Sequence, residues 1–142
     1  MPTINPYLNF QGRTEEAFNF YKSVFGGEFI TFQRFKETAA ADNVAPNEKD
    51  KIMHVALPIG KGNILMGTDA LESMGQKVVS GNAIQLSLEA ESKEEATKLF
   101  NGLSAGGKIE QPLKDEFWGA YFGMFTDKFE IKWMINYTYP KK

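Results

Sequence analysis

Cysteine is absent from the chain, and histidine occurs once, as His54. Without cysteine there are no disulfides, no thiol catalysis and no cysteine-based metal site. Charge of neither sign is in excess: 16 Lys and Arg stand against 18 Asp and Glu, for a net charge of −2 and a pI of about 5.5. That balance lacks the basic surplus of a nucleic-acid binder and the acidic run of a tail. No apolar run is long enough to span a bilayer, so no membrane partner is expected. The opening Met1-Pro2-Thr3-Ile4-Asn5-Pro6 lacks the charged-then-apolar order of a signal peptide. A soluble cytoplasmic protein is the expectation.

What the chain does have is apolar material for a core: 42% hydrophobic and 13% aromatic residues in a length of 142. That length suits one domain, or one domain made of two similar halves. A repeat favours the second. Glu15-Glu16-Ala17-Phe18-Asn19-Phe20-Tyr21-Lys22-Ser23-Val24-Phe25-Gly26-Gly27 returns, altered, as Glu94-Glu95-Ala96-Thr97-Lys98-Leu99-Phe100-Asn101-Gly102-Leu103-Ser104-Ala105-Gly106-Gly107, at an offset of 79 from Glu15 to Glu94. Ala17, Phe20, Tyr21 and Val24 fall at i, i+3, i+4 and i+7, and so do Ala96, Leu99, Phe100 and Leu103. That spacing is the buried stripe of a helix. Two acids suit the positive end of each helix dipole. Gly-Gly can take the left-handed conformation that stops a helix. Ser92-Lys93-Glu94-Glu95 reads as a capping box for the second helix.

Around each helix lie alternating segments. Ile4 to Phe10 predicts a strand, placed at an edge because Pro6 lacks an N–H. Glu28 to Phe35 predicts a second. Lys36 to Asp50, polar with Pro46, predicts a mobile loop or a frayed helical turn. Lys51 to Ile59 and Ile64 to Thr68 predict two more strands, joined by a hairpin turn at Gly60-Lys61-Gly62-Asn63. In the second half, Ala83 to Ala90, Lys108 to Leu113, Trp118 to Phe125 and Ile131 to Tyr137 repeat the series. The order strand-helix-strand-strand-strand therefore occurs twice. This is an α+β fold of two tandem βαβββ modules, about 1–69 and 82–142, with a linker at 70–81, in a single domain. One helix covers one face of each sheet. The other face must be covered by the other half, a second chain or a ligand. Two curved mixed sheets facing each other would leave a cup.

Several of these residues carry a resemblance: Pro6-Tyr7-Leu8-Asn9-Phe10, Glu15 to Tyr21, Phe25-Gly26-Gly27, Met53-His54-Val55, Phe117-Trp118-Gly119, Gly123, Asp127, Phe129 and Trp133. With them the chain resembles the vicinal oxygen chelate superfamily, the glyoxalase/bleomycin-resistance/dioxygenase proteins, over nearly its whole length. Within it the chain looks like the PhnB-like branch. The branch's closing motif, Asp-Pro-Phe-Gly-His-x-Trp, is degraded here, with Lys128, Glu130 and Ile131 in place of its Pro, Gly and His. The resemblance implies the paired βαβββ fold and a homodimer, but no single chemistry, because the fold hosts many.

It also implies where a metal would sit. Metal-dependent members use His and Glu near the start of the first strand and on the last strand of each module. Those positions map to Asn5 (or Pro6 if the register slips by one), Met66, Gln85 and Met134. Two neutral amides and two thioethers suit neither a hard cation nor zinc, and thioethers suit soft ions such as Cu(I). No metal and no other cofactor is expected. An apolar floor to the cup is the simple reading of the paired methionines.

The remaining candidates for chemistry are few. His54 lies on the minority face of its strand and can serve as a general base, or be hydrogen-bonded within the sheet. Glu89 shares an inward face with Gln85 and Ser87, as a base or as a paired rim carboxylate. Lys132 flanks Met134 and can neutralise Glu89, bind an acidic ligand, or lie on the surface. Trp118 is the better tryptophan for a pocket, since Trp133 alternates with Ile131 and Ile135 and belongs in the core. The expected pocket is then Asn5, Tyr7, Asn9, His54, Met66, Gln85, Ser87, Glu89, Trp118, Lys132 and Met134. Three functions fit it. The first is a metal-free cup that binds a small organic molecule. The second is a metal-independent enzyme doing acid–base chemistry on a small carbonyl compound with His54 or Glu89. The third is a structural or regulatory dimer whose cup is filled.

Overall fold

The structure, a computed structural model, describes residues 1–141. Its elements run β1 (Tyr7–Phe10), α1 (Thr14–Phe25), β2 (Thr31–Arg34), β3 (Ile52–Gly60) and β4 (Asn63–Asp69), then β5 (Leu86–Glu89), α2 (Lys93–Ser104), β6 (Lys108–Glu116), β7 (Ala120–Thr126) and β8 (Lys132–Thr138). The chain forms two compact units, the first through Val79 and the second from Ser80 on. Each is one βαβββ module with a four-stranded sheet, ordered β1-β4-β3-β2 in the first and β5-β8-β7-β6 in the second. The first strand of each module pairs parallel with the last, β1 with β4 and β5 with β8, and the other pairings are antiparallel. No described helix is long and apolar enough to cross a membrane.

In the first module β1 is an edge strand, as Pro6 requires. The strand begins just after that proline, whose carbonyl still accepts from Met66 N–H at 3.0 Å. Helix α1 starts on a carboxylate rather than on a capping side chain of its own. Asp69, buried at the end of β4, accepts from Thr14 N–H at 3.1 Å and Thr14 Oγ1 at 2.6 Å, and from Ile52 N–H at 2.8 Å. One group thus ties the helix start to two strands and satisfies an N-terminal donor. Gly26 and Gly27, with φ of 80° and 79°, end the helix as expected. The buried stripe differs from the expected one: it is Thr14, Ala17, Phe18 and Tyr21, with Phe20 and Val24 only half-buried. Phe18 packs edge-on to Phe10 and Tyr21 with centroids 6.4 and 5.4 Å apart, over Val55, Leu57 and Leu65 in the same buried core.

The segment after β2 is organised rather than frayed. It makes three single-turn 3-10 helices, Phe35–Glu37, Ala41–Asn43 and Pro46–Glu48. Phe35 and Val44 bury against Leu71. The buried Glu48 carboxylate accepts from Ala45 N–H, Ser73 N–H and Ser73 Oγ. Residues 70–79 are therefore held to the first module. The β3–β4 hairpin turns on Lys61 and Gly62, both at positive φ (53° and 78°), the conformation that matches strand twist in a two-residue turn.

In the second module Ser92 Oγ accepts from Glu95 N–H at 3.0 Å. Glu95 in return accepts from Glu91 N–H, one residue before the cap, at 3.0 Å. Helix α2 buries Ala96, Phe100, Leu103 and Ser104. Phe100 meets Phe125 edge-on at 5.1 Å, and Trp133 and Ile135 are fully buried in the same module. Only Gly106 of the closing glycine pair is left-handed, at φ 76°. Gly107 is required for another reason: a Cβ there would run into the backbone of Thr126 and Asp127.

Candidate functional site

Each sheet has one face under its helix and one without a helix. In the first module Val55, Leu57, Leu65 and Gly67 take the helix face. Alternation then puts their neighbours on the open face. Register arranges these in two rows. Tyr7, Met66, Ala56 and Thr31 pair across β1, β4, β3 and β2 as one row. Asn9 with Thr68, and His54 with Gln33, form the next. The sequence-predicted Tyr7, Asn9, His54 and Met66 thus share one face, and none of the eight side chains in these rows carries a fixed charge. Thr31, Gln33 and Thr68 were missing from the expectation, although the period of two along each strand was the signal for them.

Two contacts organise this face. The Tyr7 hydroxyl lies 3.2 Å from His54 Nδ1, with the two rings at 28° and centroids 5.6 Å apart. Thr68 Oγ1 is spent on the Met53 carbonyl, at 2.7 Å. Tyr7 remains 45% exposed. Asn5 precedes the strand, and its side-chain carbonyl is spent on Ile64 N–H, at 3.1 Å.

The second module carries Ser87, Glu89, Met134 and Lys132 on its open face. With them come Phe122, Met124 and Asn136, through the pairings Met124 to Met134 and Phe122 to Asn136. Phe122 and Met124 were not anticipated, though they alternate with the helix-facing Gly123 and Phe125. Gln85 sits half-buried just before β5. Trp118 lies in the β6–β7 turn, 54% exposed, edge-on to Phe122 at 5.8 Å and to Phe117 at 5.0 Å.

The charged groups here are already engaged. Lys132 does not reach Glu89; it donates to Glu110 at 2.6 Å and to Thr126 Oγ1 at 3.1 Å. The ladder explains why: Lys132 pairs with Thr126 on the β7 side, whereas Glu89 pairs with Asn136 farther along β8. The Lys132 ammonium holds the Glu110 carboxyl below its ordinary range, first through this hydrogen bond. Glu89 accepts from Asn136 Nδ2 at 2.6 Å, Thr138 Oγ1 at 3.0 Å and Thr138 N–H at 3.3 Å. Beside Lys132 and Thr126 a shallow cleft of about 350 Å³, lined also by Ser80, Gly81, Asn82 and Glu130, lacks any aromatic wall.

The side chains do not fit a divalent metal. Each module offers one amide and one thioether at the mapped positions, Asn5 with Met66 and Gln85 with Met134. The Asn5 oxygen is already in use. Among the described residues no group of three or more His, Asp or Glu converges as a metal site would require.

Comparison with known proteins agrees with this fold. The family model of the Glyoxalase/Bleomycin resistance protein/Dioxygenase superfamily matches residues 3–135. Protein YjdN of Escherichia coli K12 is 34% identical over 141 residues, covering 94% of this chain and 93% of YjdN. The crystal structure of protein PA1353 from Pseudomonas aeruginosa superimposes with a TM-score of 0.85 at 37% identity, covering 97% of this chain and 98% of that one. The PhnB protein from Bacillus cereus follows at 0.77 and 26% identity, covering 96% and 100%. A twice-used βαβββ module, a family match across both copies and a full-length relative at this identity lead to one conclusion: the chain belongs to the glyoxalase/bleomycin resistance protein/dioxygenase superfamily.

Proposed function

We propose that the protein binds a small organic molecule against the helix-free faces of its sheets, without a metal ion. The observation that supports this reading most is the first module's open face. It sets an aromatic ring and a thioether beside an imidazole and two amides, with no charge to desolvate. A thermal-shift screen of small aromatic and acidic compounds tests it. A binder present at tens of Kd raises stability by about 2 kcal/mol. A flat response across the screen counts against it.

A second reading, acid–base chemistry on a small carbonyl compound, requires the other tautomer of His54, with Nδ1–H donating to the Tyr7 hydroxyl and Nε2 left as the base. Glu89 is the weaker base candidate, because three donors already occupy its carboxylate. Unaltered turnover in His54→Ala and Glu89→Gln would exclude it. We also propose a homodimer. Ile4 and Ile84, at corresponding places ahead of β1 and β5, are 88% and 79% exposed, which is apolar surface for a second copy to cover. Sedimentation equilibrium decides this. A cytoplasmic location goes with the reading and is checked by cell fractionation.

A further inference from the structure

His54 is the one imidazole in the chain, and its two nitrogens differ in surroundings. Nδ1 lies 3.2 Å from the Tyr7 hydroxyl, while Nε2 has no protein partner among the described residues. A tyrosine hydroxyl carries one proton that it can donate. Its oxygen lone pair is drawn into the ring, which makes it a good donor and a poor acceptor. The unprotonated nitrogen of imidazole is a strong acceptor. The favoured arrangement therefore has Tyr7 O–H donating to Nδ1, and the proton of neutral His54 resides on Nε2.

Resting on the small-molecule reading above, we infer that Tyr7 is a positioning residue that holds His54 as the Nε2–H tautomer, and that the ligand presents a carbonyl oxygen to this N–H. In this state the outer nitrogen gives a hydrogen bond and accepts none. His54 then works as a donor for an uncharged acceptor group and not as a general base. The surroundings suit that role. Gln33 pairs directly with His54, so its amide N–H₂ can donate to the same or a neighbouring oxygen, while Asn9, on the opposite edge strand of the same row, can meet a second polar group of the ligand. The adjoining row of Tyr7, Met66 and Ala56 supplies ring and aliphatic surface for the rest of the molecule. The class of ligand is thus a small aromatic carbonyl compound.

Having one histidine makes the test direct. Nitrogen-15 NMR of the labelled protein at neutral pH resolves the two His54 nitrogens without assignment by mutation. The expected spectrum shows a protonated Nε2 and an unprotonated Nδ1, and Tyr7→Phe, which keeps the ring, moves both resonances toward the averaged values of a free imidazole. Acetophenone and ethylbenzene, alike in shape but with and without the carbonyl, are then titrated. Acetophenone should bind about tenfold tighter or more and shift the Nε2–H proton, and Tyr7→Phe should shrink that preference. A wild-type spectrum with the proton on Nδ1, or already averaged, overturns the assignment whatever binds. The expected tautomer with equal affinity for the two probes overturns the donor role alone. If neither probe binds, the donor role falls and the small-molecule reading loses its support with it, while the tautomer set by Tyr7 remains.

Discussion

Asp127 Oδ2 accepts the indole N–H of Trp133 at 2.9 Å, in the buried core of the second module. The other oxygen, Oδ1, accepts from the backbone N–H groups of Phe129 at 2.8 Å and Ile131 at 3.0 Å. One carboxylate thereby closes the turn between β7 and β8 and fixes the ring that fills the core. Asp127→Ala leaves these donors without their acceptor, at about 1–3 kcal/mol each when buried. The expected loss is about 3 kcal/mol or more in urea unfolding followed by tryptophan fluorescence. A loss under about 1 kcal/mol would mean that water takes over the site.

In the same turn Glu130 has φ of 72°, in the left-handed region. The motif this segment resembles has glycine there. The backbone geometry has survived the loss of the residue type that adopts it without strain. An L residue in that conformation costs about 1–2 kcal/mol, partly offset by the lower entropy of its unfolded chain. Glu130→Gly should therefore stabilise the protein by about 1 kcal/mol, although it gives up the exposed contact to Ser80 Oγ at 3.2 Å. A raised urea midpoint at constant slope is the expected result. A lowered midpoint would show that the Glu130 side chain contributes more than its conformation costs.

These two residues show what could be read from the chain alone. Asp127 and Trp133 stood out as motif members, and the duplicated helix stood out by its period. Both signals are local. The buried stripe of α1 was less legible, because two stripes of equal spacing run through Ala17 and Tyr21. The choice of Phe18 over Phe20 is made by Gly67, a distant residue whose missing side chain admits the Phe18 ring. The partners of Lys132 and Glu89 were not legible either. They depend on ladder register, which a period of two leaves open. The Tyr7–His54 pair needs β4 to lie between β1 and β3, a fact of topology that no single strand carries.

Gly67 and Gly123 each admit an aromatic ring from the covering helix. A Cβ on Gly67 would lie 2.5 Å from Phe18 Cε1 and 3.2 Å from the Leu8 carbonyl oxygen. A Cβ on Gly123 would lie 2.6 Å from Phe100 Cε2 and 2.9 Å from Leu113 Cα. Overpacking of this kind costs about 1–3 kcal/mol. Gly123→Ala should be the more damaging, because it presses on backbone of β6 as well as on a ring that can tilt. Urea unfolding of both variants checks the order. Equal losses would show that the ring alone sets the cost.

Glu48 links acid stability to the 3-10 segment. Hydrogen bonds from Ser73 first, then Ala45, hold its carboxyl below the ordinary value of 4.5 despite burial. The folded state therefore binds this proton less tightly than the unfolded chain does. The stabilisation is complete above pH 4.5 and is lost as pH falls through the depressed folded value. Glu48→Gln should lower the urea midpoint at neutral pH and flatten its fall below about pH 4.5. Parallel curves for the two proteins down to about pH 3 would place the acid sensitivity elsewhere, with Glu15 and Glu110, also held low, as the next groups to vary.

Metal addition separates this chain from metal-dependent members of its superfamily. The mapped positions hold Asn5, Met66, Gln85 and Met134. The Asn5 oxygen is committed to Ile64 N–H, and thioethers are poor ligands for zinc or nickel. His54, the one imidazole, has Nδ1 against Tyr7 and no second histidine to share an ion. A folded-state site filled at about 100 times its Kd would add about 2.7 kcal/mol to stability. Zinc, nickel or manganese ions should add none of this, EDTA should leave the melting curve unchanged, and elemental analysis of protein purified without chelator should find substoichiometric metal. A stoichiometric ion lost together with stability on EDTA treatment would show that donors other than these four assemble a site.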